Sequence, residues 1–151
     1  MGKIIVAILV FFFGIIRVFG QEIDEKMEFK NFSYWCRSDT ISIQLPSDFS
    51  GPEYHPGEEG AFVSFSARDG SFVINLCAGN TEIELDSNYL EIDSIKTGNR
   101  VYSILYYNQV KNLYARELQT KTRFYIYSNA TIERKKELDK VFEILQEKEN
   151  Q

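Results

Sequence analysis

After residue 20 the chain carries only one clear hydrophobic stripe of helical spacing. Leu138, Val141, Phe142 and Leu145 fall at i, i+3, i+4 and i+7. The spacing predicts a helix from Ile132 to Glu147, with Thr131 as cap and Glu133 in the first turn. The runs before it read as strands. Ile41, Ile43 and Leu45 alternate with Ser42 and Gln44, while Ile83 with Leu85 and Leu90 with Ile92 alternate with polar residues, mostly acids. That is the period of a half-buried strand. The expected class is therefore α+β: an antiparallel sheet of hairpins with a C-terminal helix packed on one face. The stripe is narrow, so the helix needs the sheet for stability.

Turn signals divide the strands. Phe29 to Cys36 and Thr40 to Leu45 flank Arg37-Ser38-Asp39, and Pro46 ends the second run. Ser47 to Gly60, rich in Pro, Gly and acids, reads as a loop. Ala61 to Ala67 and Ser71 to Ala78 flank Arg68-Asp69-Gly70, a strong hairpin signal. Gly79 to Ser94 favours strand with a turn near Ser87-Asn88, and Thr97-Gly98-Asn99 opens a further hairpin into Arg100 to Tyr107. After a turn over Asn108 to Asn112, Leu113 to Gln119 and Thr122 to Ser128 pair around Thr120-Lys121. A two-residue loop there sets Glu117 opposite Phe124, Ala115 opposite Ile126 and Arg116 opposite Tyr125. One face is then mainly aliphatic, and the helix is expected on it, over Phe124 and Ile126. The other face carries tyrosine and arginine.

Residues 1–20 read as a secretory signal. They contain Lys3, Arg17, no acid, and an apolar run from Ile4 to Ile16 broken only by Gly14. This run is short for a membrane span. Val18 and Gly20 suit cleavage before Gln21, and an uncleaved anchor is the rival. Residues 21–151 are then a single exported domain, with its folded core at about 29–147. That domain has 15 basic and 22 acidic residues. Such an acidic chain has no basic face for a phosphate backbone, which argues against nucleic acid as partner.

Cys36 and Cys77 are the only cysteines. An even count in an exported chain favours one disulfide, with two buried thiols as the alternative. Asn31-Phe32-Ser33 and Asn129-Ala130-Thr131 match the glycosylation triplet, which also arises by chance.

The order of elements resembles the PsbP-like sandwich shared by the Ran-binding Mog proteins. The resemblance spans roughly residues 29 to 146. It rests on Phe32-Ser33-Tyr34-Trp35 leading through Ile41 to Leu45 into Pro46, on Arg68-Asp69-Gly70-Ser71, and on the terminal helix from Glu133 to Leu145. The usual helix between the middle strands has no clear counterpart. The resemblance implies partner binding without catalysis. The rival architecture is a lipocalin-like barrel carrying a small apolar ligand, though the Gly-x-Trp pattern near such a barrel's start is absent.

Catalytic constellations are thin. His55 is the single histidine; with Glu58 and Glu59 it could touch a metal, but a solvated loop is the simpler reading. No Gly-x-Ser-x-Gly, calcium-loop spacing or phosphate-cradling glycine loop occurs. No catalytic residue, metal or cofactor is assigned. A small hydrolase is the remaining alternative. The expected partner face is Tyr102, Tyr106, Tyr114, Tyr125 and Tyr127 with Arg116 and Arg123, suited to an envelope or extracellular protein or a glycan. The alternative is that these rings form a second layer of core. A membrane is a partner only if the leader is retained. The functional expectation is a non-enzymatic, secreted or periplasmic binding module.

Overall fold

A computed structural model describes residues 28–56, 60–79, 83–97, 101–120 and 122–150. The proposed leader and its cleavage point lie outside the described residues. Strands β1 (Phe29–Cys36) and β2 (Asp39–Pro46) form a hairpin of their own. A second, seven-stranded sheet contains β3 (Ser50–Pro56), β4 (Gly60–Ser66), β5 (Phe72–Gly79), β6 (Tyr89–Thr97), β7 (Val101–Asn108), β8 (Leu113–Gln119) and β9 (Phe124–Ala130). Its order is β3-β4-β5-β9-β8-β7-β6, antiparallel throughout. Helix α1 (Ile132–Asn150) closes the chain. The expected α+β class is what forms. The sheet ends at β3 and β6 without joining them, so the barrel alternative fails.

Alternation builds the core. Phe32, Tyr34 and Cys36 on β1 and Ile41, Ile43 and Leu45 on β2 all point inward and are buried. They meet Val63 and Phe65 of β4, Val73 and Cys77 of β5, Leu118 of β8, and Tyr125 and Tyr127 of β9. Leu138, Val141, Phe142 and Leu145 of α1 complete the cluster. The Phe32 and Tyr34 rings meet Phe65 edge-on at 5.1 and 5.4 Å, and Phe142 lies 5.0 Å from Tyr127. Hairpin and helix together roof one face of the large sheet.

That face is not the one expected. The helix covers Tyr125 and Tyr127, on the opposite side from Phe124 and Ile126. Tyrosine rings supply as much apolar area as aliphatic side chains, and their hydroxyls find partners across the layers. Tyr127 Oη donates to Asp139 Oδ1 at 2.7 Å, and Asn75 Nδ2 donates to Tyr34 Oη at 2.7 Å.

The other face is concave. Ile74, Ile104, Ala115 and Ile126 are buried on it. Tyr89, at the start of β6, accepts a hydrogen bond from the Asn129 backbone N–H at 3.2 Å. In a flat sheet β6 and β9 stand about 14 Å apart, three strand spacings. A tyrosine cannot bridge that, so the sheet curls toward the Ile126 face.

Three local expectations change. The segment read as a loop after Pro46 contains β3. Gly51 permits this, because with φ +139° it lies where a Cβ would come within 2.7 Å of Phe65. Ile83 to Asp86 form no strand, since the connection from β5 must run the length of the sheet to reach the start of β6. The turn at Ser87-Asn88 holds, with Asn88 Nδ2 donating to Asp86 at 2.7 Å. The β8–β9 hairpin closes where Thr120 N donates to Arg123 O at 2.8 Å. Glu117 therefore faces Ile126 and Arg116 faces Tyr127, two residues from the expected register. An even slip leaves each side chain on its own face.

Candidate functional site

The expected tyrosine face is divided between the two sides of the sheet. Tyr125 is 1% exposed and Tyr127 0%, both under α1. Burial and the neighbouring Asp139 push the Tyr127 hydroxyl far above its ordinary value, so it stays a donor. Arg116 is used inward: its Nε donates to Ser103 Oγ at 2.8 Å and its Nη1 pairs with Asp139 at 2.9 Å. Tyr114 is half-buried, 4.9 Å from the Tyr107 ring and with Lys135 Nζ 5.8 Å away. Tyr106 stands opposite Ala115 on the concave face, not beside Tyr125. Tyr102 sits opposite Gln119 in the ladder, and its side chain lies outside the described residues. These residues are mostly core and inter-layer glue, which is the second-layer alternative.

Cys36 and Cys77 are bonded, Sγ to Sγ at 2.10 Å, tying the small hairpin to β5. Beside this bond Arg37 Nε donates to the Cys77 carbonyl. Arg37, Leu76, Ala78, Gln119, Thr122 and Arg123 border an open cavity of about 210 Å³. Arg123 is paired across it with Asp39 at 3.3 Å. Its lining mixes Leu76, Ala78 and Phe124 with polar and charged side chains. His55 stacks on Phe62 at 4.4 Å and lies 2.8 Å from Ser64 Oγ, a structural placement. Glu58 and Glu59 lie outside the described residues. Among the described residues no three metal-ligating side chains converge.

The feature that sequence reading passed over is β6. Among the described residues no strand lies beyond it in the sheet, and every residue from Leu90 to Lys96 is exposed. Leu90 is 63%, Ile92 53% and Ile95 44% exposed, large values for aliphatic side chains clustered on one strand. The alternation of Leu90 and Ile92 with acids was visible. That neither face of β6 would be covered was not.

The backbone of β6 can be oriented from the ladder. Thr120 and Arg123 form a bonded pair, and bonded pairs recur at every second residue of an antiparallel ladder. Even-numbered β8 residues thus bond toward β9, and odd ones toward β7. Through the pairs Gln119–Tyr102 and Glu117–Ile104, odd-numbered β7 residues are left to bond toward β6. Their partners are Thr97, Ile95, Asp93 and, across the bulge at Ile92, Leu90. The N–H and C=O groups of Glu91, Ser94 and Lys96 therefore point outward from the edge, while the Tyr89 N–H is taken up by the Asp86 carbonyl at 2.9 Å.

The electrostatics at this edge are acidic. Glu91 and Glu117 sit on the concave face near Tyr106. Burial first, then Glu91, lifts the Glu117 carboxyl above its usual range against the hydrogen bond from Tyr106. At the root of β6, Asp86 pairs with Lys111 at 2.6 Å, and this bond with those from Asn88 lowers its pKa to about 2.

The opposite edge is guarded. Pro52 and Pro56 on β3 lack an N–H, the strand is bulged between Ser50 and Glu53, and Trp35 N donates to Tyr54 Oη at 3.1 Å from the neighbouring hairpin. No family model, curated protein or solved structure matches this chain.

Proposed function

We propose that the chain is a non-enzymatic, extracytoplasmic binding module that holds a protein partner by adding an extended segment to β6. The carrying observation is an unguarded edge with outward backbone groups and three exposed aliphatic side chains. Strand addition draws affinity from main-chain bonds and selectivity from alternate side chains. The Cys36–Cys77 bond supports an oxidising compartment, as does the apolar run from Ile4 to Ile16. No described helix is long and apolar enough to cross a membrane. The likeness in element order to PsbP-like proteins points the same way, toward partner binding without chemistry.

The test uses residues 21–151 and a library of random ten-residue peptides. Selected peptides should share an alternating apolar pattern and slow amide exchange at Glu91, Ser94 and Lys96. Peptides that protect the cavity beside Arg37 instead, or a library that yields no binder, would overturn the reading.

A further inference from the structure

We infer that the segment β6 accepts is β6 of a second copy of this chain, an inference that rests on the strand-addition reading above. The register follows from which backbone groups point outward. Two antiparallel β6 strands can bond only through Glu91, Ser94 and Lys96, because the Tyr89 N–H is already bonded to the Asp86 carbonyl. A two-fold axis through Ser94 sets Ser94 against its own copy, Lys96 against the partner's Glu91, and Glu91 against the partner's Lys96. Both cross-strand charge pairs are then of opposite sign.

The spacing works because of the bulge. One residue, Ile95, separates Ser94 from Lys96. Two residues, Ile92 and Asp93, separate Ser94 from Glu91. Two against one is the mismatch that β6 already accommodates against β7 between Glu91 and Asp93. Ile95 therefore opposes the Ile92-Asp93 step across the seam, one residue against two, on either side of the Ser94 pair.

The faces agree as well. Glu91 pairs with Tyr106 and Lys96 with Tyr102 in the β6–β7 ladder, so both occupy concave-face positions. A two-fold axis perpendicular to the sheet keeps that face common to both copies. The incoming Lys96 thus arrives beside Glu91, next to Glu117, where one copy alone gathers two acids. The prolines of β3 withhold the other edge from strand pairing, so this isologous contact closes at a dimer and does not extend into a fibre.

Sedimentation of residues 21–151 tests this. The wild type should dimerise by about 100 µM, which saturates a contact of micromolar Kd. Glu91→Lys and Lys96→Glu should each weaken the dimer at least about tenfold, because symmetry makes both charge pairs repulsive. An equimolar mixture of the two variants should dimerise again, since each Lys then meets a Glu. The double variant carrying both changes should also recover. A wild type that stays monomeric, or a dimer indifferent to both reversals, overturns self-pairing. If peptides still protect Glu91, Ser94 and Lys96 in that monomer, only self-pairing falls. If they do not, strand addition falls with it.

Discussion

Truncating Phe142 tests the central packing claim, that α1 roofs the tyrosine face. Phe142 is 2% exposed, and its ring lies 5.0 Å from Tyr127 and 6.4 Å from Tyr125. Phe142→Ala removes a buried ring from a seam that cannot collapse, because strand and helix are anchored on both sides. The expected loss is about 3–5 kcal/mol. With a urea slope of about 2 kcal/mol/M, the midpoint falls by roughly 2 M. Tyr125→Ala should cost a similar amount, since that ring is 1% exposed and belongs to the same cluster. Ile144→Ala, at 41% exposure on the same helix, is the internal control and should stay within about 0.5 kcal/mol of wild type. Urea titrations of the three variants, followed by tyrosine fluorescence and far-UV circular dichroism together, give the comparison. A Phe142→Ala loss below about 1 kcal/mol would refute the docking of α1. A Tyr125→Ala variant as stable as the control would refute the burial of the tyrosine face.

Three further outcomes are expected. Cys36→Ala with Cys77→Ala opens a loop with a sequence separation of 41 and should cost about 4 kcal/mol on chain-entropy grounds; an unchanged urea midpoint would mean that the crosslink constrains nothing. Asp69 is pulled below its ordinary carboxylate value: burial works against this, but the Ser71 hydroxyl and amide and the Arg134 guanidinium outweigh it. Its folded pKa lies below 3.8, so its stabilisation is complete well above that value and is lost as pH falls through the folded pKa. Asp69→Asn should therefore destabilise at pH 6, and the gap to wild type should narrow as pH falls below 3.8; a gap that does not narrow in acid would contradict this assignment. Finally, the secretory-signal reading expects a mature chain that begins at or near Gln21, checked by intact mass; a mass retaining residues 1–20 would favour a membrane anchor.

Much of the fold was legible because its causes are local. Phe29 to Cys36 needs only its own alternation, and Asp69-Gly70 only its own turn chemistry, to form what they form. The Leu138-to-Leu145 stripe marks a helix whatever it packs on. Even the β8–β9 register, misplaced by two residues, kept every side chain on its proper face, because strand side chains repeat with period two. β3 was missed for a non-local reason. Its prolines and Gly51 read as a loop, and only the neighbouring β4 makes them an edge strand.

The amino-acid sequence by itself determined the α+β class, the paired cysteines as disulfide candidates, and which residues within one strand share a face. It did not determine which face is covered. Tyr125 and Ile126 are equally fit for burial by local criteria, and the choice between them depends on partners distant in sequence. Tyr127 finds Asp139 on α1, Tyr34 finds Asn75 across the layers, and Phe32 finds Phe65. Tertiary packing made those choices together, placing the tyrosines in the core and leaving β6 as the uncovered edge. Coverage depends on where every other element has gone, and no window of sequence holds that information.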